Sequence, residues 1–361
     1  MSFALIIYLF YAFLFIQLLF WILQLSKITY YIPPPPSGTN SFPPVTVLIC
    51  IKNEYDNLKS NLPSIIDQKY EKFEVLIVDD HSSDRGVEYL KSRYINEPRL
   101  TILELNTGVY GKKNAILEAT KFAKHNILLL TDADCTPQSE FWISEMVNGL
   151  GNEQDIVLAY TPYLKEPSLL NRLIRFETCL NGAQILSAAH LGFPYAGVGR
   201  NILYRRSLVS AEALKMSYLS GDDDLLVNGM ATKKNTSICL NPNSFVYSTP
   251  KQSWKEYFMQ RWRHYSTSTG YSIGSQVYLF INFMSLIGFY GVFIMLLFLQ
   301  MPLYAWIAYT IRLIIIWPIF FTLSRKFKET GLSLLFPILE LVYVLFICLQ
   351  LPLLFVRKKT W

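Results

Sequence analysis

The sequence is poor in charge. Only 17% of its 361 residues are Asp, Glu, Lys or Arg, against 52% hydrophobic, a balance more apolar than that of an ordinary soluble domain. It contains no CxxC pair and no zinc-ligand spacing. The five cysteines, Cys50, Cys135, Cys179, Cys239 and Cys348, are dispersed and odd in number, which argues against thiolate metal ligation and fits a reducing compartment. There is no long basic stripe. The formal net charge of +6 is scattered, with small clusters at Arg325, Lys326 and Lys328 and at Arg357, Lys358 and Lys359 beside apolar runs. These read as membrane flanks, and nucleic acid is not an expected partner. No GxGxxG follows the first candidate strand, which disfavours a dinucleotide-binding enzyme. No internal repeat is visible.

What is present is concentrated apolar sequence at both ends. Residues 3–25 carry no charge and are long enough to cross a bilayer. No basic leader precedes them and no small-residue cleavage site stands before Lys27, so they read as an anchor rather than a cleaved signal peptide. Prolines 33–36 then predict a stiff, extended spacer. After Trp254 an aromatic-rich amphipathic stretch leads to three further apolar runs at 277–299, 301–323 and 332–356. The expected organisation is an anchor over 1–26, a proline-rich linker over 27–44, a folded domain over 45–250, an interfacial helix over 251–275, and a membrane region of about three helices over 276–361. Residues 325–328 favour a cytosolic loop by the positive-inside rule, whereas residues 357–359 then fall outside. The last run, interrupted by Pro337 and Pro352, is alternatively re-entrant. Arg312 and Glu340 are each the only charge in their run, at similar depth from the loop that joins them, which predicts an ion pair inside the membrane.

Between the apolar ends the pattern changes. Strand candidates at 46–51, 73–78, 100–105, 127–130 and 156–160 alternate with helix candidates at 84–94, 112–123 and 139–150. This is an α/β pattern, and the continuous apolar strands predict a parallel sheet covered on both faces. A long helix over 169–191 has apolar Leu170, Leu173, Ile174, Leu180, Ile185 and Leu186 and polar Asn171, Arg172, Arg175 and Glu177. It reads either as core packing or as a helix lying at a membrane surface.

The positions of the acids carry the functional signal. In an open α/β sheet, ligands bind beyond the carboxyl ends of the strands. Asn53 and Glu54 follow the first candidate strand, Asp79 and Asp80 the second, and Asp132 and Asp134 the fourth. Asp132-Ala133-Asp134 is a DxD, whose two carboxylates point to the same side of an extended strand end. That pairing suits a hard divalent cation that also binds a diphosphate. A lone DxD also occurs in solvated loops; here it follows a buried-strand pattern.

The segments Val45–Glu54, Val78–Asp84 and Asp132–Asp134, taken in order, resemble family 2 glycosyltransferases with a GT-A fold, a Rossmann-like, mixed but mainly parallel sheet. Gly111-Lys112-Lys113-Asn114-Ala115 resembles the family's GKxxAL segment, Gly197-Val198-Gly199-Arg200-Asn201 its acceptor-side loop, Gly221-Asp222-Asp223-Asp224 its GDD or ED motif, and Gln260-Arg261-Trp262-Arg263 the start of QxxRW. The flanking spans fit membrane-bound members such as ceramide glucosyltransferases and polysaccharide synthases. The resemblance implies transfer of a sugar, with inversion, from a nucleotide-sugar, a UDP-sugar first, to a lipid or glycan acceptor. It implies that Asn53, Glu54, Asp79, Asp80, Lys112 and Asp132 line the nucleotide-sugar site, that Asp132 and Asp134 hold Mg2+ or Mn2+, and that Asp223 is the general base. Gln260 and Arg263 would assist at the diphosphate, and Asn201, Asp222, Trp262 and His264 would lie on the acceptor side. It further implies a multi-pass protein, of a cell inner membrane, with its catalytic domain in the cytosol.

One departure from the family pattern matters. His264 stands where QxxRW has its Trp, and Trp262 lies two residues earlier. That departure and the few spans disfavour a processive polysaccharide synthase. A catalytically inactive nucleotide-sugar-binding scaffold is disfavoured by retention of the DxD and GDD acids and of Gln260 and Arg263.

Overall fold

The structure, a computed structural model, describes residues 3–33, 42–106, 108, 110–151, 153–218 and 220–350. The spacer beyond Pro33, the basic residues 357–359 and positions 351–356 of the last apolar run lie outside the described residues. The chain divides into two compact units. Residues 3–31, 166–187 and 252–350 form a helical unit, and residues 32–165 and 188–251 form a unit built on a sheet.

The chain begins with α1 (Phe3–Leu19), a π-helical stretch (Phe20–Leu25) and α2 (Ser26–Thr29). The sheet unit then runs β1 (Val45–Ile51), α3 (Tyr55–Ile66), β2 (Phe73–Asp79), α4 (Gly86–Arg93), β3 (Leu100–Glu104), α5 (Lys112–Phe122), β4 (Ile127–Asp132), β5 (Cys135–Pro137), α6 (Trp142–Asn148) and β6 (Ile156–Ala159). After α7 (Leu169–His190) come β7 (Ile202–Arg205), α8 (Asp224–Met230), β8 (Thr236–Cys239) and β9 (Val246–Ser248). The helical unit resumes with α9 (Trp254–Tyr265), α10 (Ile273–Phe298), α11 (Pro302–Lys326), a 3-10 turn (Thr330–Leu335) and α12 (Phe336–Gln350).

Strands β3, β2, β1 and β4 pair in parallel. Every residue of β2 is buried, as is every residue of β1 except the half-buried Cys50. Full burial of one Val, Leu or Ile side chain contributes about 1.5–3 kcal/mol, so these strands anchor the unit. β7 then enters antiparallel to both β4 and β6, while β6 and β8 pair in parallel, giving the order β3-β2-β1-β4-β7-β6-β8. The expected mixed, mainly parallel sheet is found. Strands β5, β7, β8 and β9 have three or four residues each, too few for hydrophobic periodicity to show. Helix α4 starts two residues later than its apolar pattern suggests. Asp84 ends the preceding turn instead, its Oδ1 accepting from Gly86 N at 3.0 Å and its Oδ2 from Tyr55 N at 2.9 Å.

Four helices of the other unit are long and apolar enough to cross a membrane: Ala4–Thr29, Ile273–Phe298, Pro302–Lys326 and Thr330–Gln350. Phe10, Leu14, Phe289, Leu296, Ala305, Ala308 and Val344 form their common core. Gly288 lets α1 and α10 approach, since a Cβ there would lie 2.5 Å from the Phe13 ring. The expected ion pair is present. Arg312 Nη1 and Nη2 donate to Glu340 Oε2 and Oε1 at 2.6 and 2.7 Å, and Nη2 also donates to Gln17 Oε1 at 3.0 Å. Tyr290 Oη donates to Glu340 Oε2 at 2.6 Å, and Gln17 Nε2 to Ser285 Oγ at 2.7 Å. Charges in an apolar setting persist when paired in this way.

Most of the polar stripe of α7 is buried. Asn171, Arg175 and Glu177 are 1%, 6% and 1% exposed. Arg175 Nε donates to Glu329 Oε2 at 2.9 Å; Glu177 Oε1 forms an ion pair with Arg261 Nη2 at 2.9 Å, and its Oε2 accepts from the Tyr257 hydroxyl. Its neighbour Phe176 packs on Phe320 and Phe336. These partners lie more than 75 residues along the chain, out of reach of any helical periodicity.

The charge swap tests the Arg312 cluster. Arg312→Glu and Glu340→Arg each leave a like-charged pair buried and should cost about 3–5 kcal/mol, read as a lower melting temperature in detergent. The double variant should regain much of that loss.

Candidate active site

The carboxyl ends of β1, β2 and β4 lie side by side, because the register pairs Ile51 with Asp79 and Cys50 with Asp132. Each strand end contributes polar side chains to the same edge of the sheet.

After β1 the backbone turns sharply at Asn53, whose φ is 59°. Asn53 Oδ1 accepts from Ser83 N at 2.7 Å, and Asn53 N donates to Ser82 Oγ at 2.9 Å, so the loops after β1 and β2 are tied together. A cleft of about 370 Å3 opens here, lined by Asn53, Glu54, Asp84 and Arg85 among others. Burial holds the Glu54 carboxyl above its ordinary range, and the Asp134 and Asp132 carboxylates push the same way, against a hydrogen bond from Asn57. Asp79 and Asp80 are nearly buried. Asp79 accepts from Ser82 N, and Asp80 Oδ2 accepts from Gly111 N at 2.9 Å while Oδ1 lies 3.1 Å from His81 Nδ1. Asp80 therefore holds the loop that leads into α5. The His81 ring lies against Tyr110 at 4.2 Å between centroids, with Lys52 Nζ over the other ring at 5.6 Å.

Lys112, at the start of α5, is the electrostatic centre. Its Nζ donates to Asp132 Oδ1 at 2.8 Å and lies 3.1 Å from Asp222 Oδ2, an ion pair that misses hydrogen-bond geometry. Burial alone would lower its pKa, but Asp132, Asp222 and Asp223 outweigh it and hold the ammonium well above its usual range.

Asp223 caps α8. Its Oδ1 accepts from Asp224 N at 2.9 Å and its Oδ2 from Gly199 N. Gly199 permits that contact, since a Cβ there would sit 3.1 Å from Asp223 Oδ2. Burial, then the Asp222 charge, raise the Asp223 pKa above the ordinary aspartate value, opposed by Lys112 and the two backbone N–H groups.

The donor set fits a divalent cation. Asp132, Asp134 and Cys135 offer ligand atoms all within 4.8 Å of one another. The two carboxylates are hard oxygen donors of the kind Mg2+ and Mn2+ take. Burial, followed by the two neighbouring carboxylates, holds the Cys135 thiol well above its usual pKa, and its Sγ donates to Asp134 Oδ1 at 3.2 Å.

The sequence pattern of glycosyl transferase family 2 matches residues 46–210. Residues 46–210 are a glycosyl transferase family 2 domain. The chain is similar to YkcC, an uncharacterized glycosyltransferase of Bacillus subtilis (strain 168), at 30% identity over 31% of this chain and 32% of that protein. It is also similar to the glycosyltransferase AglE of Haloferax volcanii, at 32% identity over 33% of this chain and 40% of that protein. It spans well under two thirds of either relative. Among solved structures it resembles the mannosyltransferase PcManGT from Pyrobaculum calidifontis, determined in complex with GDP-Man and Mn2+. That likeness covers 98% of this chain and 99% of the other with a TM-score of 0.61 at 17% identity, a likeness of fold. The fold is GT-A.

Within the family 2 frame, the sheet unit brings Asn53, Glu54, Asp79, Asp80, Lys112, Asp132, Asp134, Asp222 and Asp223 to one set of loops. Gln260, Trp262, Arg263 and His264 belong to α9 of the helical unit, where His264 is exposed and the other three half-buried. Asn201, expected on the acceptor side, lies inside the sheet unit. It is fully buried, accepting from Trp142 Nε1 at 2.9 Å and donating to Ser244 O at 2.7 Å and Tyr160 O at 3.2 Å. Both of its amide N–H donors are taken, and it pins β7 to its surroundings. Two basic residues escaped the sequence reading. Arg200 stacks on Tyr163 at 4.4 Å with Nη1 buried and unpartnered among the described residues. Lys113 donates to Lys215 O at 3.1 Å, and burial pushes its pKa down to about 8 against the pull of Asp222, Asp223 and Asp224. The signal for Arg200 was a cation in a glycine-containing loop; for Lys113, an apolar-face position in an amphipathic helix.

Removing the Lys112 ammonium should expose these repulsions. Lys112→Met should lower stability by about 1–3 kcal/mol at neutral pH. A carboxyl whose folded pKa is raised destabilises the fold once ionised, and its protonation relieves that penalty. The deficit should therefore shrink as pH falls through the raised Asp223 range, measured by thermal melts of variant and wild type across pH.

Proposed function

We propose that this chain is a membrane-anchored, inverting glycosyltransferase. It transfers a hexosyl group from a nucleotide diphosphate sugar, a UDP-sugar first, to a lipid or membrane-associated glycan acceptor, with its sheet unit at the cytosolic face of a cell inner membrane. The observation that carries the reading is Lys112. Its one ammonium pairs with a DxD carboxylate and with Asp222, next to the raised-pKa Asp223, at the carboxyl ends of the strands, which supports reading the DxD as the cation-binding pair and Asp223 as the base.

Asn53, Glu54, Asp79 and Asp80 shape the loops that receive the nucleoside. Asp132 and Asp134 would hold Mg2+ or Mn2+, whose charge stabilises the departing diphosphate. The acceptor hydroxyl attacks the anomeric carbon opposite that diphosphate, the bond from carbon to diphosphate oxygen breaks, and the hydroxyl proton passes to the Asp223 carboxylate. Each Asp223 oxygen has a second lone pair beyond its backbone hydrogen bond, and its raised pKa suits proton acceptance near neutral pH. By resemblance alone, Gln260 and Arg263 are assigned to the diphosphate and Trp262 and His264 to the acceptor. His264, in place of the expected Trp, supports transfer of one or a few sugars over polymer synthesis.

The test is nucleotide release from a panel of UDP- and GDP-sugars by the purified protein in lipid. Asp223→Asn should lower turnover by at least about 100-fold with donor binding nearly unchanged. Because the base must be ionised, wild-type activity should fall as pH drops through a midpoint above the ordinary aspartate range. Asp222→Asn removes a neighbouring negative charge and should move that acidic limb to lower pH while retaining activity. Loss of turnover in Asp222→Asn rather than Asp223→Asn reassigns the base.

Cation dependence has a separate readout. Mn2+ titrated into the protein should bind by paramagnetic resonance, and Asp134→Ala should abolish both that binding and transfer. Full activity in excess EDTA rejects the metal assignment.

A further inference from the structure

The helical unit contains a cavity of about 560 Å3 between α1, α7, α9, α10 and α12, a size that encloses a small ligand. Its wall is largely apolar, with Trp21, Phe283 and Ile347 on three different elements. Val277 and Phe280 at its edge are 50% and 63% exposed, on a helix long and apolar enough to cross a membrane.

The charges that reach this cavity are paired with each other. Glu340 is bound to Arg312, and Arg261 to Glu177. Gln17 is bonded to Ser285 and Arg312. Gln350 is different. It is 1% exposed, it lines the cavity, and neither its Nε2 nor its Oε1 has a partner among the described residues. The Arg261 Nε in the same wall also lacks one. Leaving a buried amide unsatisfied costs about 1–3 kcal/mol, and intramembrane polar groups of this kind mark binding sites and pathways.

We propose that this cavity binds a neutral amphipathic lipid whose headgroup carries both a hydroxyl or amide donor and a carbonyl or hydroxyl acceptor. The carboxamide of Gln350 presents a donor and an acceptor, and a hydroxyl or amide answers both. An ionised phosphate accepts only and leaves Oε1 unsatisfied, and the paired arginines offer it no uncompensated positive charge. The apolar wall takes the chain of the lipid and the Val277 and Phe280 edge admits it. Access from a bilayer rests on the membrane-anchored reading above; occupancy of the cavity does not require sugar transfer.

The experiment uses the full chain in phosphatidylcholine nanodiscs with dioleoylglycerol carrying a diazirine in one acyl tail, and phosphatidic acid with the same tails. After irradiation, labelled peptides are mapped by mass spectrometry. Dioleoylglycerol should label the cavity faces of α10 and α12 and be displaced by its unlabelled form, with phosphatidic acid labelling at least about 5-fold less. Gln350→Leu should reduce the labelling about 5-fold, the effect of one net hydrogen bond. Val277→Trp, at the exposed edge, should reduce it as well, and serves if Gln350→Leu does not fold. Preference for phosphatidic acid overturns the proposal. So does even labelling of outward residues such as Leu303 and Ile314 that neither substitution changes. Labelling by an enzyme inactive toward every sugar donor leaves this proposal standing and rejects the transferase reading; loss of labelling with transfer intact does the reverse.

Discussion

One ammonium group sets the geometry of the sheet unit's polar edge. Asp132 ends β4, and Asp222 and Asp223 precede α8, about 90 residues later in the chain. Carboxylates crowded into a partly dry site repel one another, and at short range that repulsion amounts to several kcal/mol unless a cation sits among them. Lys112 is that cation. Its position follows from Gly111, whose φ of 109° turns the chain into α5, and from Asp80, which accepts the Gly111 N–H. A side chain at the end of β2 thus orients a lysine that holds the ends of two other segments. The arrangement also explains why the Asp223 pKa is raised rather than suppressed: burial and Asp222 outweigh the lysine and two backbone N–H groups.

The helical unit solves the same problem with arginine. Arg312 is fully buried; it meets Glu340, Gln17, and the rings of Phe289 and Tyr290 at 5.2 and 5.6 Å. The planar guanidinium meets both Glu340 oxygens at once, a geometry lysine lacks. Arg175 with Glu329 and Arg261 with Glu177 repeat the device. Arg175 and Arg261 reach partners 154 and 84 residues along the chain, so these ions help set which segments meet. Gln350, lacking any such partner among the described residues, stands apart from this pattern.

The legible parts of the molecule share a property: their signal is local. A buried parallel strand is a run of β-branched and aliphatic residues, and β1, β2 and β4 were visible as such. An acid directly after such a run is at a strand end whatever the rest of the chain does, which is why Asp79, Asp132 and Asp134 could be placed from sequence. Arg312 and Glu340 were also legible, because a charge in an apolar run has few tolerable environments and the short loop between their helices fixes their relative depth. The illegible parts depend on contacts across the chain. Asn201 sits in a loop that resembles an acceptor site, yet it is buried, with both amide N–H groups donating to Tyr160 and Ser244 and its oxygen accepting from Trp142. The polar residues of α7 look solvated by periodicity and are buried by partners much later in sequence.

Sequence alone determined the α/β core, the apolar helices at both ends, the DxD at a strand terminus and the resemblance of the sheet unit to family 2, because each rests on residue order over a few positions. Tertiary structure alone decided that β7 enters the sheet antiparallel beside β4, that Lys112 neutralises Asp132 and Asp222 together, that Cys135 donates to Asp134, and that Gln350 faces a cavity with no partner among the described residues. Those are electrostatic and hydrogen-bonding outcomes, and they depend on distances of a few ångströms between groups tens to hundreds of residues apart, which one-dimensional spacing does not encode.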